Sequence, residues 1–190
     1  TNSDNIIGNI NPDWIAGIRN KFSYKNLSMS FLIDSQKGGD IFSLDMAYGL
    51  ATGLYKETAE GNIRENGVVH SGVAPDGTPN TISVQNPGSF ANGNYGYYVE
   101  PSKAFMYDAS FIKLREVNIA YDIPMQWLGK QKLINNATFS IVGSNLWIIY
   151  KNLPYADPES GLGSGVGSRG YSLGSLPTTR DIGFNLKLKF

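Results

Sequence analysis

The 190-residue chain has no cysteine and a single histidine, His70. The first absence removes disulfides, thiol nucleophiles and thiolate metal ligands together, and the second leaves no imidazole set for zinc. Neither sign of charge is in excess: 16 Lys plus Arg stand against 16 Asp plus Glu. No basic surplus therefore points to nucleic acid, and no acidic one to a solvating tail. No run approaches the ~18 apolar residues of a transmembrane helix. The N-terminus lacks the basic and then apolar regions of a signal peptide. There is no G-x-S-x-G, and one histidine among many serines gives no triad pattern. No enzyme activity, cofactor or metal site is expected.

What is present is aromatic and glycine-rich. Aromatics make up 12% of residues, 22 residues are glycine and only 17% are charged, a balance that suits an all-β protein with long turns. The last stretch carries the pattern most cleanly. Ile182, Phe184, Leu186, Leu188 and Phe190 alternate with Asp181, Gly183, Asn185, Lys187 and Lys189. Side chains in a strand change face at every residue, so one face is wholly apolar and the other wholly polar. About ten residues with this alternation suffice for a tilted strand to cross a bilayer. A half-buried strand of a soluble sandwich gives the same alternation.

Earlier segments repeat it. Trp14, Ala16, Ile18, Phe22 and Tyr24 share one parity, interrupted by Asn20. Lys25-Asn26 forms a tight turn, and Leu27, Met29, Phe31 and Ile33 then share a face, with Leu32 the exception. Lys37-Gly38-Gly39-Asp40 ends that strand. Leu44 to Tyr55 has weak helical spacing, diluted by Gly49 and Gly53. From Asn62 to Pro87 the sequence is loop-like, with turns at Asp76-Gly77 and Pro79-Asn80, and 88–106 is rich in tyrosine and glycine.

Strand periodicity returns at Ser110. Ile112 and Leu114 have one parity, and Val117, Ile119, Tyr121 and Ile123 the other. A slip near Arg115-Glu116 predicts a β-bulge, or a point where the strand emerges into water. Pro124 stops the strand, and Met125 to Leu133 allows one or two helical turns. Ala137, Phe139, Ile141 and Gly143 open a further strand that runs to Tyr150. A Gly-, Ser- and Pro-rich loop, 151–179, precedes the last strand. About five long strands thus alternate short and long connections, the habit of large outer-membrane barrels and not of evenly spaced sandwiches. Aromatics recur near strand ends (Trp14, Tyr24, Phe111, Tyr121, Tyr150, Phe190), where interfacial girdles belong. Five strands are too few to close a barrel, so either more chain precedes Thr1 or the sheet is no barrel.

Several stretches carry a resemblance to a known family. They are Ile7-Gly8-Asn9-Ile10-Asn11-Pro12-Asp13-Trp14, Phe22-Ser23-Tyr24-Lys25-Asn26-Leu27 and Lys37-Gly38-Gly39-Asp40-Ile41. Further on come Ala109-Ser110-Phe111-Ile112-Lys113-Leu114-Arg115-Glu116-Val117, Gly143-Ser144-Asn145-Leu146, Tyr155-Ala156-Asp157-Pro158-Glu159 and the final Phe190. In order and spacing the chain resembles the C-terminal portion of SusC/RagA-like, TonB-dependent outer-membrane transporters.

The resemblance implies an all-β fold: an antiparallel transmembrane β-barrel of roughly 22 strands, of which residues 1–190 hold the last five or so, with long extracellular loops. It implies the outer membrane of a Gram-negative cell and an energised importer of oligosaccharides or peptides. A SusD-like lipoprotein would lid the barrel outside, and TonB-ExbB-ExbD would act through a plug domain that these residues do not include. The barrel-assembly machinery would read the last strand and Phe190. Outer-membrane lipid would face Trp14, Ile18, Phe22, Phe139, Ile141, Ile182, Phe184, Leu186, Leu188 and Phe190. The alternatives are a secreted β-sandwich that binds glycans and a non-transporting surface or adhesin barrel.

Other motifs point less far. Gly165-Val166-Gly167-Ser168-Arg169-Gly170 matches G-x-G-x-x-G but follows no strand and opens no helix, so an external loop is expected instead of a dinucleotide site. Asp157-Pro158-Glu159 offers two carboxylates for acid/base or calcium chemistry, and a Pro-built turn is the plainer expectation. Tyr95, Tyr97, Tyr98 and Tyr171 are candidates to stack on substrate or to touch a lid protein. Arg19, Lys21, Lys187 and Lys189 share the polar faces and are expected to point into the lumen.

Overall fold

The alternating segments all form strands. A computed structural model describes residues 5–84, 100–127, 133–161 and 169–190. Among the described residues the strands are β1 (Trp14–Tyr24), β2 (Leu27–Lys37), β3 (Asp40–Ser43), β4 (Val68–Val69), β5 (Ser83–Val84), β6 (Met106–Asp108), β7 (Phe111–Asp122), β8 (Asn136–Lys151), β9 (Tyr171–Ser172) and β10 (Asp181–Lys189). Two helices, α1 (Leu44–Ala51) and α2 (Ile63–Asn66), lie in the first long connection. None of the helices is long and apolar enough to cross a membrane, which says nothing of strands.

The chain divides into two compact units. One comprises Asn11–Gly39, Asp108–Glu159 and Leu176–Phe190. It contains a five-stranded sheet in the order β1-β2-β7-β8-β10, antiparallel throughout. Lys25, at φ 51°, makes the tight turn between β1 and β2. The register lines up Phe22, Met29, Ile119, Ile141 and Phe184 across all five strands, and Tyr24, Leu27, Tyr121, Phe139 and Leu186 in the next row of that face. On the other face Ser23, Ser28, Ala120, Ser140 and Asn185 form a row. Phe22 stacks diagonally on Phe31 at 6.2 Å, and Phe139 on Phe184 at 6.1 Å, the cross-strand contacts that fix register.

The parity slip in β7 is a bulge. Leu32 faces Glu116 and Ile33 faces Leu114, so Arg115 is the extra residue. One inserted residue returns Ile112 and Leu114 to the face of Val117, Ile119 and Tyr121, and keeps the apolar side continuous. The same step corrects one expectation. Phe111 shares its face with Lys113 and Gln36 and is buried, so it is no girdle aromatic. β8 bends to match: Asn145 takes φ 50°, and a side chain on Gly143 would strike Leu146.

The other unit comprises Thr1–Ile10, Asp40–Tyr107 and Ser160–Ser175. Its three-stranded sheet runs β6-β3-β9, with β3 and β9 parallel. The Ser43 hydroxyl caps α1 by accepting from the Met46 N–H at 3.1 Å. Met46 and Ala47 then pack on Phe105, flanked by Phe42, Leu44, Leu50, Tyr55 and Tyr107. Gly49 leaves room for the Tyr55 ring, which a methyl there would overlap. The helical spacing expected from Leu44 to Tyr55 thus yields a helix that stops at Ala51. The stretch expected to be loop holds α2 and the two-residue ladder β4–β5. The turn at Asp76-Gly77 is present, with Thr78 donating to Asp76.

Candidate functional site

Two features of the five-stranded sheet stand out, one on each face. The apolar face is exposed. Trp14, Ile18, Phe22, Phe139, Ile141, Ile182, Phe184, Leu186, Leu188 and Phe190 are all on the surface, with Phe184 72% and Phe22 60% exposed. Large apolar side chains side by side across five strands form a patch far wider than a monomer in water normally shows. Among the described residues no second layer covers it, as a sandwich would require.

The opposite face carries a cluster of charges around the bulge. Lys113 and Asp157 are each 2% exposed and lie 2.6 Å apart. Lys113 also pairs with Glu159, and its ammonium lies 5.3 Å from the centre of the Phe111 ring. Arg115 uses its whole fork: Nε and Nη2 donate to Asp34 at 3.2 and 2.6 Å, Nη1 and Nη2 to Glu159 at 2.9 and 2.8 Å, and Nη1 to Asn145 at 3.0 Å. Asp157 accepts from the Thr178 N–H at 3.0 Å and hydroxyl at 2.6 Å, and from the Glu159 N–H at 3.0 Å. Asn145 donates to the Thr179 carbonyl at 3.1 Å.

Burial acts to raise the Asp157 carboxyl, but the bonds from Lys113 and Thr178 outweigh it and hold the group well below the usual carboxylate range. Glu159 is lowered in the same way: burial opposes, and the bonds from Arg115 and Lys113 prevail. Both carboxylates are therefore ionised and engaged, leaving neither as a general acid at neutral pH. Among the described residues no group of His, Cys, Asp and Glu is arranged to hold a metal. The Asp157-Pro158-Glu159 turn is present as a 3-10 turn, Pro158–Gly161, and it is an ion-paired anchor as well. Its one signal in the sequence is the pair of cations Lys113 and Arg115, set beside apolar neighbours Ile112 and Leu114 in β7.

Of the stacking candidates, Tyr171 lies in β9 beside Phe42, ring centres 5.8 Å apart. It lines a cavity of about 610 Å³ with Ile7, Ile10, Phe42, Leu44 and Met106. Tyr95, Tyr97 and Tyr98 lie outside the described residues, as do Gly165 to Ser168 of the glycine motif. Arg19, on the polar face, pairs with Glu116 at 2.6 Å.

The sheet and its faces can be set beside known proteins. The chain is 31% identical to TonB-dependent receptor P26 of Formosa agariphila over 97% of its own length and 18% of the receptor. It is 28% identical to TonB-dependent receptor P3 of the same organism over 97% of this chain and 17% of that one. The RagAB peptide importer in its closed-closed state superposes with a TM-score of 0.66 at 17% identity, over 97% of this chain and 18% of the importer chain. In the open-open state the TM-score is 0.64 over 95% and 17%. No protein-family profile matches. The chain spans less than a fifth of these relatives, 18% of the first. In sequence the chain is similar to these TonB-dependent receptors along nearly its whole length, and in fold its antiparallel meander is similar to part of the RagAB importer chain.

Proposed function

We propose that residues 1–190 are the C-terminal part of the barrel wall of a TonB-dependent importer in the outer membrane of a Gram-negative cell, contributing five of roughly 22 strands. One observation carries this reading: one face is apolar across all five strands, interrupted by small or uncharged polar residues such as Asn20 and Ser35, and is exposed while the charges gather on the other. Water disfavours that arrangement and hydrocarbon favours it. The ten exposed apolar residues named above face lipid. About ten residues separate Trp14 from Tyr24, a path of ~33 Å that a tilt of about 40° reduces to roughly 25 Å, the height of an apolar barrel band. Trp14 and Tyr150 sit towards one end of this face, and Tyr24, Tyr121 and Phe190 towards the other, as interfacial aromatics do.

Cargo is an oligosaccharide or a peptide. The importer works with a SusD-like lipoprotein outside and with TonB-ExbB-ExbD through a plug domain beyond these residues. The names of the relatives, TonB-dependent receptors and a peptide importer, support the importer class. Tyr171 and the cavity beside it are offered to cargo or lid. The barrel-assembly machinery reads β10 and Phe190.

The test is uptake. Cells lacking the receptor that carries this segment should lose accumulation of labelled peptides or of labelled oligosaccharides, and an uncoupler should abolish it in the parent strain. Undiminished accumulation of both classes in the deletion strain would refute the importer. Removing Phe190 should lower the assembled yield in outer-membrane fractions, and an unchanged yield would end its role in assembly.

A further inference from the structure

The charge cluster does more than neutralise itself. The connection between β8 and β10 departs through Asp157 and Glu159 and returns through Thr178 and Thr179, and both ends are tied to the same few residues of the sheet. Lys113 and Arg115 hold the departing end. Asp157 reaches across to the Thr178 N–H and hydroxyl, and Asn145 to the Thr179 carbonyl, so the returning end is held through the same centre. Arg115 can do this because it is the bulge residue, freed from strand pairing. All five of its N–H donors are engaged, on Asp34, Asn145 and Glu159.

We infer that the β7 bulge is a fixed clamp on the base of the β8–β10 connection, holding its two ends together in every working state of the protein. Opening the base would strand Lys113, buried with its only 2% exposure, away from both carboxylates. A buried charge stripped of its partner is among the costliest defects a fold can carry. It would also break the two bonds between Asp157 and Thr178. The base therefore does not act as a hinge. The clamp depends on packing within the chain, not on lipid or cargo, so its failure and that of the importer reading are separate results.

Hydrogen exchange followed by mass spectrometry tests it on the purified full receptor chain in detergent. The amides of Glu159 and Thr178 donate to the clamp, and peptides containing them should exchange as slowly as those of β7. Lys113→Met should speed exchange at both ends together, by roughly a hundredfold, with β1 and β2 unchanged. Asp157→Asn, nearly the same shape, gives the same readout should Lys113→Met fail to assemble. Arg115→Lys keeps the charge but not the fork, and should loosen the Glu159 end more than the Thr178 end. Fast exchange of Thr178 in the unaltered receptor would overturn the clamp. So would loosening at one end alone in Lys113→Met, or loosening spread evenly through the sheet.

Discussion

The two units of the chain sort their side chains in opposite ways. In the unit around α1, apolar groups go inside: Met46, Ala47 and Phe105 are each at most 5% exposed. In the unit of the large sheet one whole face of apolar groups lies outside, and what is buried includes Lys113, Asp157 and Gln36 beside Phe111 and Leu153. Both arrangements come from one chain of one average composition. The hydrophobic effect removes apolar surface from water, and a face that stays apolar and open is built for another solvent. The first unit closes a small apolar core, and the second leaves a whole apolar face open, as the proposed barrel wall requires.

That contrast can be broken at chosen positions. The largest effect is expected from Asp157→Ala, which leaves Lys113 buried beside Glu159 alone. Removing one partner of a buried pair costs about 3–5 kcal/mol, so heat stability of the assembled receptor should fall sharply. Phe105→Ala tests the opposite sorting. It opens a cavity in the water-packed unit at about 3–5 kcal/mol, while Phe184→Ala on the exposed face should change detergent-solubilised stability far less. Equal losses from the two phenylalanines would show that the open face is packed after all. Phe184→Arg places a cation on the exposed apolar face, which under the proposed lipid-facing reading costs roughly 2–4 kcal/mol, and outer-membrane recovery should drop. Asn185→Arg, one residue along on the polar face, should be recovered normally. Equal recovery of the two arginine variants would mean that the faces are assigned the wrong way round. Smallest is Ser43→Ala, which removes the α1 cap at about 1 kcal/mol and should lower protection of the helix amides alone.

The anchor also has a pH signature. The folded Asp157 and Glu159 carboxyls lie below their ordinary values. Their contribution is therefore complete above the unfolded carboxylate range, near 4. It fades only as pH falls through the lowered folded values. Exchange at Thr178 should stay slow from neutral pH down to about pH 4 once corrected for intrinsic rate, and rise only in stronger acid. A rise already at pH 6 would mean the carboxylates are not held as the geometry indicates.

Much of the large sheet was legible in advance because period two is a local property. The runs from Trp14 and Leu27, the run at Phe139 and the last ten residues each announce a face without reference to any partner. The slip near Arg115 was visible for the same reason, as two apolar parities in one strand. Its consequence was not: Phe111 looked like a girdle aromatic, and only the inserted residue turns it to the other face. Asp157 and Glu159 looked like an ordinary turn because the cations that hold them lie more than forty residues earlier, at Lys113 and Arg115. No local pattern connects a charge to a partner at that distance. In the loop unit, α1 was faint because Gly49 and Gly53 dilute its spacing, yet Gly49 is what lets Tyr55 close on the helix. The ladder of Val68–Val69 with Ser83–Val84 is too short for periodicity to register.

By itself, then, the amino-acid order determined which side of each ribbon is greasy, where the chain turns, and which family it resembles, since each rests on neighbours a few positions apart. Only the tertiary structure decided that five greasy sides fall on one surface and stay open. The same holds for the bulge that lets Arg115 grip a distant loop base, and for the two units that sort their apolar groups in opposite directions. Those outcomes depend on inter-strand register and on charges meeting across long stretches of chain, quantities that exist only once the strands have paired.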